Sequence, residues 1–351
     1  MNPVAMTLVL VGTISFFSWS VFRRYRQMKV GVPDPRFQWT IPQVIDRGWK
    51  VTMVALGQEK MWKKKSYALS GFAHIAIFGA FNVLLLNSVL LWGRGYNSDW
   101  TMFGLLDTQH IVGQLYGFVK EMAAAGAALG AVAFWYIRIV KKGKDSADPK
   151  AVVDKPRMTL GNEPNLILFI IFSMMIADFI YVGGHLAKVA AATGGTVGFT
   201  WYEPFGSVVG MIAENFSYGT MVGIEHFGFW YHSAWVLLFL NILPYSKHFH
   251  ILSVMPSVFA YDPRPAALPV LVDMEGKLER DEPLGLKTLK DLNYSDILDL
   301  YTCTECGRCS DNCPASTTDK QLSPKHPTLP TRDHLCALPH PLLPPHDAPA
   351  S

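Results

Sequence analysis

The sequence predicts an all-α membrane protein, with five transmembrane helices followed by a small cytoplasmic module that carries cysteines. Three observations lead there. The first 260 residues are apolar in long blocks, and charged residues are 17% of the chain against roughly 25% in soluble domains. Lysine and arginine collect in alternate connections, as in a chain threaded through a bilayer. Four of the five cysteines fall between positions 303 and 313, beyond a proline-rich break. The 31 basic and 28 acidic residues leave a net charge of only +3. That balance excludes a strongly basic nucleic-acid binder, and the apolar content excludes a disordered chain.

A helix needs about 20 apolar residues to cross a bilayer. Five blocks qualify: Val4–Phe22, Tyr67–Trp92, Ile111–Ile139, Leu166–Lys188 and Phe227–Tyr245. The first lacks a small-residue cleavage site and precedes a charged stretch, so it reads as a membrane anchor rather than a signal peptide. Segments 23–66 and 138–157 hold most of the lysine and arginine, whereas 93–110 and 189–225 hold only Arg94. The amino terminus is therefore expected outside the inner (cytoplasmic) membrane and the cysteine-bearing tail in the cytoplasm. Residues 37–66, with Trp39, Trp49 and Trp62 among basic groups, are expected along the cytoplasmic face, and residues 205–216 as a surface helix outside. The domains read as 1–260 membrane domain, 261–290 linker opened by the run DPRPAALP, 291–326 partial iron–sulfur module and 327–351 disordered Pro/His-rich tail.

Ionisable side chains inside spans are functional candidates because hydrocarbon penalises them. His74 lies in the second span, His232 near the outer start of the fifth, and His248 and His250 at its inner end. Positions eighteen apart on one helix share a face about 27 Å apart, which His232 and His250 satisfy and His248 does not. A haem held between two helices takes one imidazole from each and keeps no open position, which suits electron transfer. His74 and His250 both lie toward the cytoplasmic side, so they are the first choice for a b-type haem; the bland alternative is a hydrogen-bonded core histidine and an interfacial one. His232 is a candidate for a second haem, but the position that should pair with it is Leu84, which cannot ligate. His185 or His110 could substitute, or line a quinone pocket, and His226 sits near them. Asp178 in the fourth span reads first as an interhelical hydrogen-bond partner and second as part of a proton path.

Cys303, Cys306, Cys309 and Cys313-Pro314 form C-x2-C-x2-C-x3-C-P, the bacterial ferredoxin spacing, and point to a [4Fe-4S] cluster. Zinc sites favour paired C-x2-C units with a distant second pair, so zinc is the weaker reading. Gly307 lets the backbone approach, and Pro314 turns the chain away. In two-cluster ferredoxins the fourth cysteine of such a run serves the other cluster, and no second run follows here, so either the fourth ligand is Cys313 or Cys336, or the module is incomplete. The tail after Pro327 reads as an early end of a longer protein, with His326, His334, His340 and His346 as solvated surface.

The fifth span, with Tyr231-His232 and Pro244-Tyr-Ser-Lys-His-Phe-His250, resembles the last helix of the nitrate reductase gamma subunit family of b-type cytochromes. Gly71-Phe-Ala-His74-Ile-Ala-Ile-Phe-Gly79 is similar to that family's second helix. The resemblance implies a haem held by His74 and His250, and leaves the other haem without its second-helix ligand at Leu84. From Leu292-Asn-Tyr-Ser-Asp296 through the cysteine run to Leu322-Ser-Pro-Lys325, the tail resembles heterodisulfide reductase-related (Fe-S)-binding proteins. Some of these look like electron-transfer-flavoprotein:menaquinone oxidoreductases, which implies a quinone substrate and a cytoplasmic carrier or catalytic subunit such as electron-transfer flavoprotein. The chain departs from them by lacking the second cluster run and every CCG-type domain.

The expectation is thus a quinone-linked oxidoreductase, or a subunit of one, with a ferredoxin-like [4Fe-4S] module on a cytochrome b-type domain. A membrane anchor or assembly subunit whose cofactors are lost is the rival reading. A histidine-based transporter or sensor fits less well, since five spans without repeat symmetry do not suggest it.

Overall fold

The computed structural model describes residues 2–34, 40–62, 68–141, 163–261, 273–282, 284–285, 288–318, 320 and 322–337. They form α1 (Pro3–Met28), α2 (Ile41–Lys50), α3 (Glu59–Trp62), α4 (Ala68–Arg94), α5 (Ile111–Tyr136), α6 (Glu163–Thr193) and α7 (Pro204–Ala213). There follow α8 (Tyr218–Ile242), α9 (His250–Phe259), α10 (Met274–Glu279), α11 (Tyr294–Thr302), α12 (Arg308–Asp311), α13 (Pro314–Thr317) and α14 (Lys325–Ala337). Among the described residues there is no strand, only an isolated parallel bridge between Val32 and Asn293. The chain divides into two compact units: Met1–Phe16, Lys60–Ser146 and Leu160–Ile242 make the first, and Phe17–Glu59, Ala147–Thr159 and Leu243–Ser351 the second.

Among the described residues four helices are long and apolar enough to cross a bilayer: α1, α4, α5 with its π-helical extension to Ile139, and α6. Five spans were expected. The fifth, α8, has 25 residues and rises about 37 Å, but it carries Glu225, His226, His232 and Asn241 and is not among those four. It also starts at Tyr218 rather than Phe227 and stops at Ile242. Pro244 lacks an N–H and its ring crowds the preceding turn, so the chain continues as two 3-10 turns, Leu243–Tyr245 and Lys247–Phe249. The Ser246 side chain accepts from the His248 N–H at the start of the second turn, and α9 then begins at His250. His232 and His250 therefore lie on separate helices, and their eighteen-residue spacing no longer sets a shared face.

Within the first unit α4, α5 and α6 are apolar over most of their circumference, the pattern of helices in lipid. A core of Met6, Leu91, Tyr181, Val182 and Phe229 joins α1, α4, α6 and α8. The α6/α8 crossing depends on glycine. A Cβ on Gly184 would lie 2.5 Å from the Glu225 nitrogen, and one on Gly228 2.5 Å from the Tyr181 nitrogen. Backbones approach this closely only where a side chain is missing. The segment expected as an outer surface helix forms α7, whose Gly206 packs on Val182 of α6.

The second unit is built around α11. Asn293 and Asp296 form a capping box at its start, and Ile297, Leu300 and Tyr301 enter a core with Phe249, Leu292 and Leu335. The end of α1 packs there too: Gln27 accepts from the Tyr301 hydroxyl at 2.8 Å, and Arg24 donates to the Pro244 carbonyl at 2.8 Å. Residues from 327 were expected as a disordered tail, yet Lys325–Ala337 is helical. Leu335 is fully buried and Leu329 nearly so, which anchors it. Pro327 falls in the first turn, where no N–H partner is needed, and only Pro330 interrupts the ladder. Residues 338–351 with His340 and His346, the run 262–272, and Trp39 lie outside the described residues.

Gly228→Ala should cost about 1–3 kcal/mol, because the new methyl meets backbone rather than a movable side chain. Thermal unfolding in detergent would register this as a lowered midpoint, whereas Gly219→Ala, with open space at its Cβ, should leave the midpoint unchanged.

Candidate functional site

The cysteine run forms a loop between α11 and α13. Cys303 ends α11, the short α12 carries Cys309, and Cys313 precedes Pro314 at the first position of α13. Two left-handed residues bend the loop, Glu305 at φ 61° and Gly307 at φ 76°. Gly307 takes that conformation without penalty; Glu305 does not, so something must hold it.

Arg332 of α14 supplies the hold. Its guanidinium donates to the Cys303 carbonyl at 3.2 Å and pairs with the Glu305 carboxylate at 2.7 Å. Burial works against the Arg332 charge, but Glu305 and Asp333 outweigh it and raise its pKa above the ordinary value. Burial likewise pushes the Cys303 thiol up, opposed by the Glu305 backbone and Arg332. Ser310 and Ser323, both buried, share a hydrogen bond of 2.6 Å that ties α12 to the chain before α14.

None of the five cysteines is in a disulfide; Cys303 and Cys313 are half-buried, and Cys306, Cys309 and Cys336 exposed. Among the described residues no three His, Cys, Asp or Glu side chains come together as a metal-holding group. The donor chemistry and the left-handed turns at Glu305 and Gly307 nonetheless fit an iron–sulfur cluster, which needs four thiolates on a loop that turns sharply.

A second site lies inside the first unit. Asp178 on α6 is fully buried and receives Asn87 Nδ2 of α4 at 2.9 Å. Lys120 Nζ of α5 pairs with its other oxygen at 3.4 Å, and His232 Nδ1 of α8 stands 4.0 Å away. Asp178 is thus the interhelical hydrogen-bond partner that the sequence suggested. His232 is buried, its Nδ1 faces the Met174 carbonyl at 3.3 Å, and its Nε2 has no hydrogen-bond partner. Next to Lys120, Glu121 turns the other way and accepts the Phe205 and Gly206 N–H groups at the start of α7, the shortest contact being 2.7 Å.

His74 is half-buried in α4; His110 and His226 are exposed. His250 opens α9 with Nδ1 3.0 Å from the Lys247 carbonyl, and His248 is half-buried. His185 Nδ1 lies 2.8 Å from Glu225, which Lys188 also grips at 2.7 Å, so His185 sits in an ion-paired cluster. Leu84 is buried. Lys120 and Asn87 were missed by the sequence reading, although a Lys-Glu pair in mid-span was a visible signal. Arg332 could not be found, because it lies 27 residues from the loop it holds.

No protein-family model matches the chain, and no solved structure does. It is similar to a protein of Syntrophomonas wolfei named EtfAB:quinone oxidoreductase, 26% identical over 291 residues, covering 81% of this chain and 37% of that one. It is also similar to a Bacillus subtilis protein named Probable iron-sulfur-binding oxidoreductase FadF, 25% identical over 346 residues, covering 95% of this chain and 43% of that one. The chain therefore spans about two-fifths of the length of these curated relatives. The relationship is a distant one, to proteins named as oxidoreductases.

Lys120→Met would leave Asp178 buried without its cation and should destabilise the fold by about 3 kcal/mol. Adding Asp178→Asn should recover part of that loss in thermal unfolding, since the uncompensated charge is then gone.

Proposed function

We propose that this chain is the membrane-bound electron-transfer part of an iron–sulfur oxidoreductase, passing electrons between a cytoplasmic redox partner and the quinone pool. The observation that carries the reading is the cysteine loop: four cysteines at ferredoxin spacing and outside any disulfide, bent at Glu305 and Gly307 and fastened by Arg332. Cys303, Cys306, Cys309 and Cys313 would hold a [4Fe-4S] cluster, with Cys336 the other candidate for the fourth place. Such a cluster, when bound, supplies a one-electron carrier. The relatives' names support the redox class, the quinone as substrate, and electron-transfer flavoprotein as the cytoplasmic partner.

The membrane part in this reading is a five-span, nitrate reductase gamma-like cytochrome b domain with α8 as the fifth span. Its amino terminus lies outside the inner membrane and its cysteines in the cytoplasm, on the charge asymmetry of the sequence. His74 and His250 would ligate an inner haem b, and His232 is the candidate for a second. Support for His250 and His232 is the engagement of each Nδ1 with a backbone carbonyl, a contact that fixes an imidazole so that Nε2 can face a metal. For His232 the buried, unpartnered Nε2 adds to this.

Purified protein should carry about four irons per chain and lose them in Cys306→Ala. Zinc in place of iron would end the cluster reading. A reduced-minus-oxidised optical spectrum should show a b-type haem that disappears in His74→Ala while the cysteine-bound iron stays. Arg332→Ala should retain the cysteines yet lose iron faster to a chelator, as the Glu305 turn relaxes.

A further inference from the structure

Helix α2 presents two unlike sides. Ile41, Ile45 and Trp49 repeat every fourth residue and form one stripe, exposed to 76%, 66% and 61%. Met53, in the π-helical turn Val51–Leu56 that continues the helix, prolongs the stripe and is exposed as well. On the opposite side Arg47 is only 2% exposed. Its guanidinium donates to the carbonyls of Phe259 and Tyr261 at 2.7 and 2.9 Å, satisfying orphan groups at the end of α9. The Tyr261 hydroxyl in turn donates to the Asp46 carboxylate. The polar side of the helix is thus occupied inside the second unit, and the apolar side faces out.

That inversion rules out an ordinary soluble helix, which buries its apolar side and hydrates its arginine. What covers the stripe follows from the chain's own connections. Twelve residues separate Met28, the end of α1, from Ile41, a reach of about 40 Å at most. Downstream, α4 begins at Ala68, and both α1 and α4 are long and apolar enough to cross a bilayer. A helix tied at both ends to such spans stays near the lipid surface. Its flanks suit that surface: Lys50 and Lys60 are described residues, Lys63, Lys64 and Lys65 follow in sequence, and Trp49 and Trp62 are exposed. Basic groups meet lipid phosphates, and tryptophan rings settle at headgroup depth.

We propose that α2 lies in the surface of a phospholipid bilayer, with Ile41, Ile45 and Trp49 among the upper acyl chains. It would then act as a mooring for the cysteine loop, because α9, which Arg47 grips, is bonded to α11. Ser257 donates to Asp299 at 2.6 Å, Thr302 donates to Ser253 at 2.9 Å, and Cys303 follows directly. The proposal rests on the membrane reading and is independent of which cofactors the chain carries.

The test uses the full chain in nanodiscs of phosphatidylcholine and phosphatidylglycerol containing a phosphatidylcholine with a diazirine near the top of its acyl chain. After illumination, adducts are mapped by peptide mass spectrometry. Ile41, Ile45 and Trp49 should together carry at least tenfold more label than Gln43, Asp46 and Arg47. Labelled Ala68–Arg94 with an unlabelled α2 stripe would overturn the proposal and leave the membrane reading standing. Absence of label from both would overturn both. Ile45→Asp should cut labelling of α2 at least fivefold without changing that of Ala68–Arg94; unchanged labelling of α2 would also sink the idea. Cross-linking of the stripe to a second copy of this chain, in place of lipid, would assign it to an interface between copies.

Discussion

Asp178 has no exposure to solvent, and a carboxylate in that position stays charged only if donors and cations are brought to it. They arrive from three other helices: Asn87 from α4, Lys120 from α5 and His232 from α8. Apolar packing is non-directional and would let each helix turn about its axis. The carboxylate removes that freedom, since each partner side chain must point at one place. The glycines at the α6/α8 crossing then set how closely two of these helices approach. Rotation is fixed by charge, and separation by missing side chains.

The second unit solves a different problem with similar means. Its cysteine loop contains a non-glycine residue in a left-handed conformation, and its helices are short, so backbone groups are left over at many ends. Arginines answer them. Arg24 donates to the Pro244 carbonyl, Arg47 to Phe259 and Tyr261, and Arg332 to Cys303. A planar guanidinium has several donors in a fixed fork, so one side chain can satisfy two acceptors and fix the segment that bears them. The loop that carries the redox proposal depends on two such contacts, through Arg332 and through the Arg47–α9–α11 chain.

Much of this was legible in the linear chain, for reasons that differ by element. The cores of α4, α5 and α6 were predicted because uninterrupted apolar length is a local property. The spacing of the cysteine run is a local property too, and the sequence displays it directly. Asp178 was rightly placed as an interhelical partner, but its cation was not named, although Lys120 stood in the third span. The start of α8 at Tyr218 and its end at Ile242 were misjudged. Pro244 was read as a kink within one helix, whereas the chain breaks into 3-10 turns and restarts at His250. The helix α14 escaped notice because two prolines and few apolar residues mask it, and its stability comes from Leu335 entering a core built by distant segments.

The sequence by itself determined where apolar length suffices to cross a bilayer, which connections collect positive charge, and which cysteines stand at ferredoxin spacing. Those quantities depend only on neighbours along the chain. Tertiary structure alone decided that Arg47 turns inward while Ile41, Ile45 and Trp49 turn out, and that Arg332 fastens a loop 27 residues away. It also decided that Lys120 answers Asp178. In each case a charge finds its partner across the fold, and burial rather than sequence distance makes that partner obligatory.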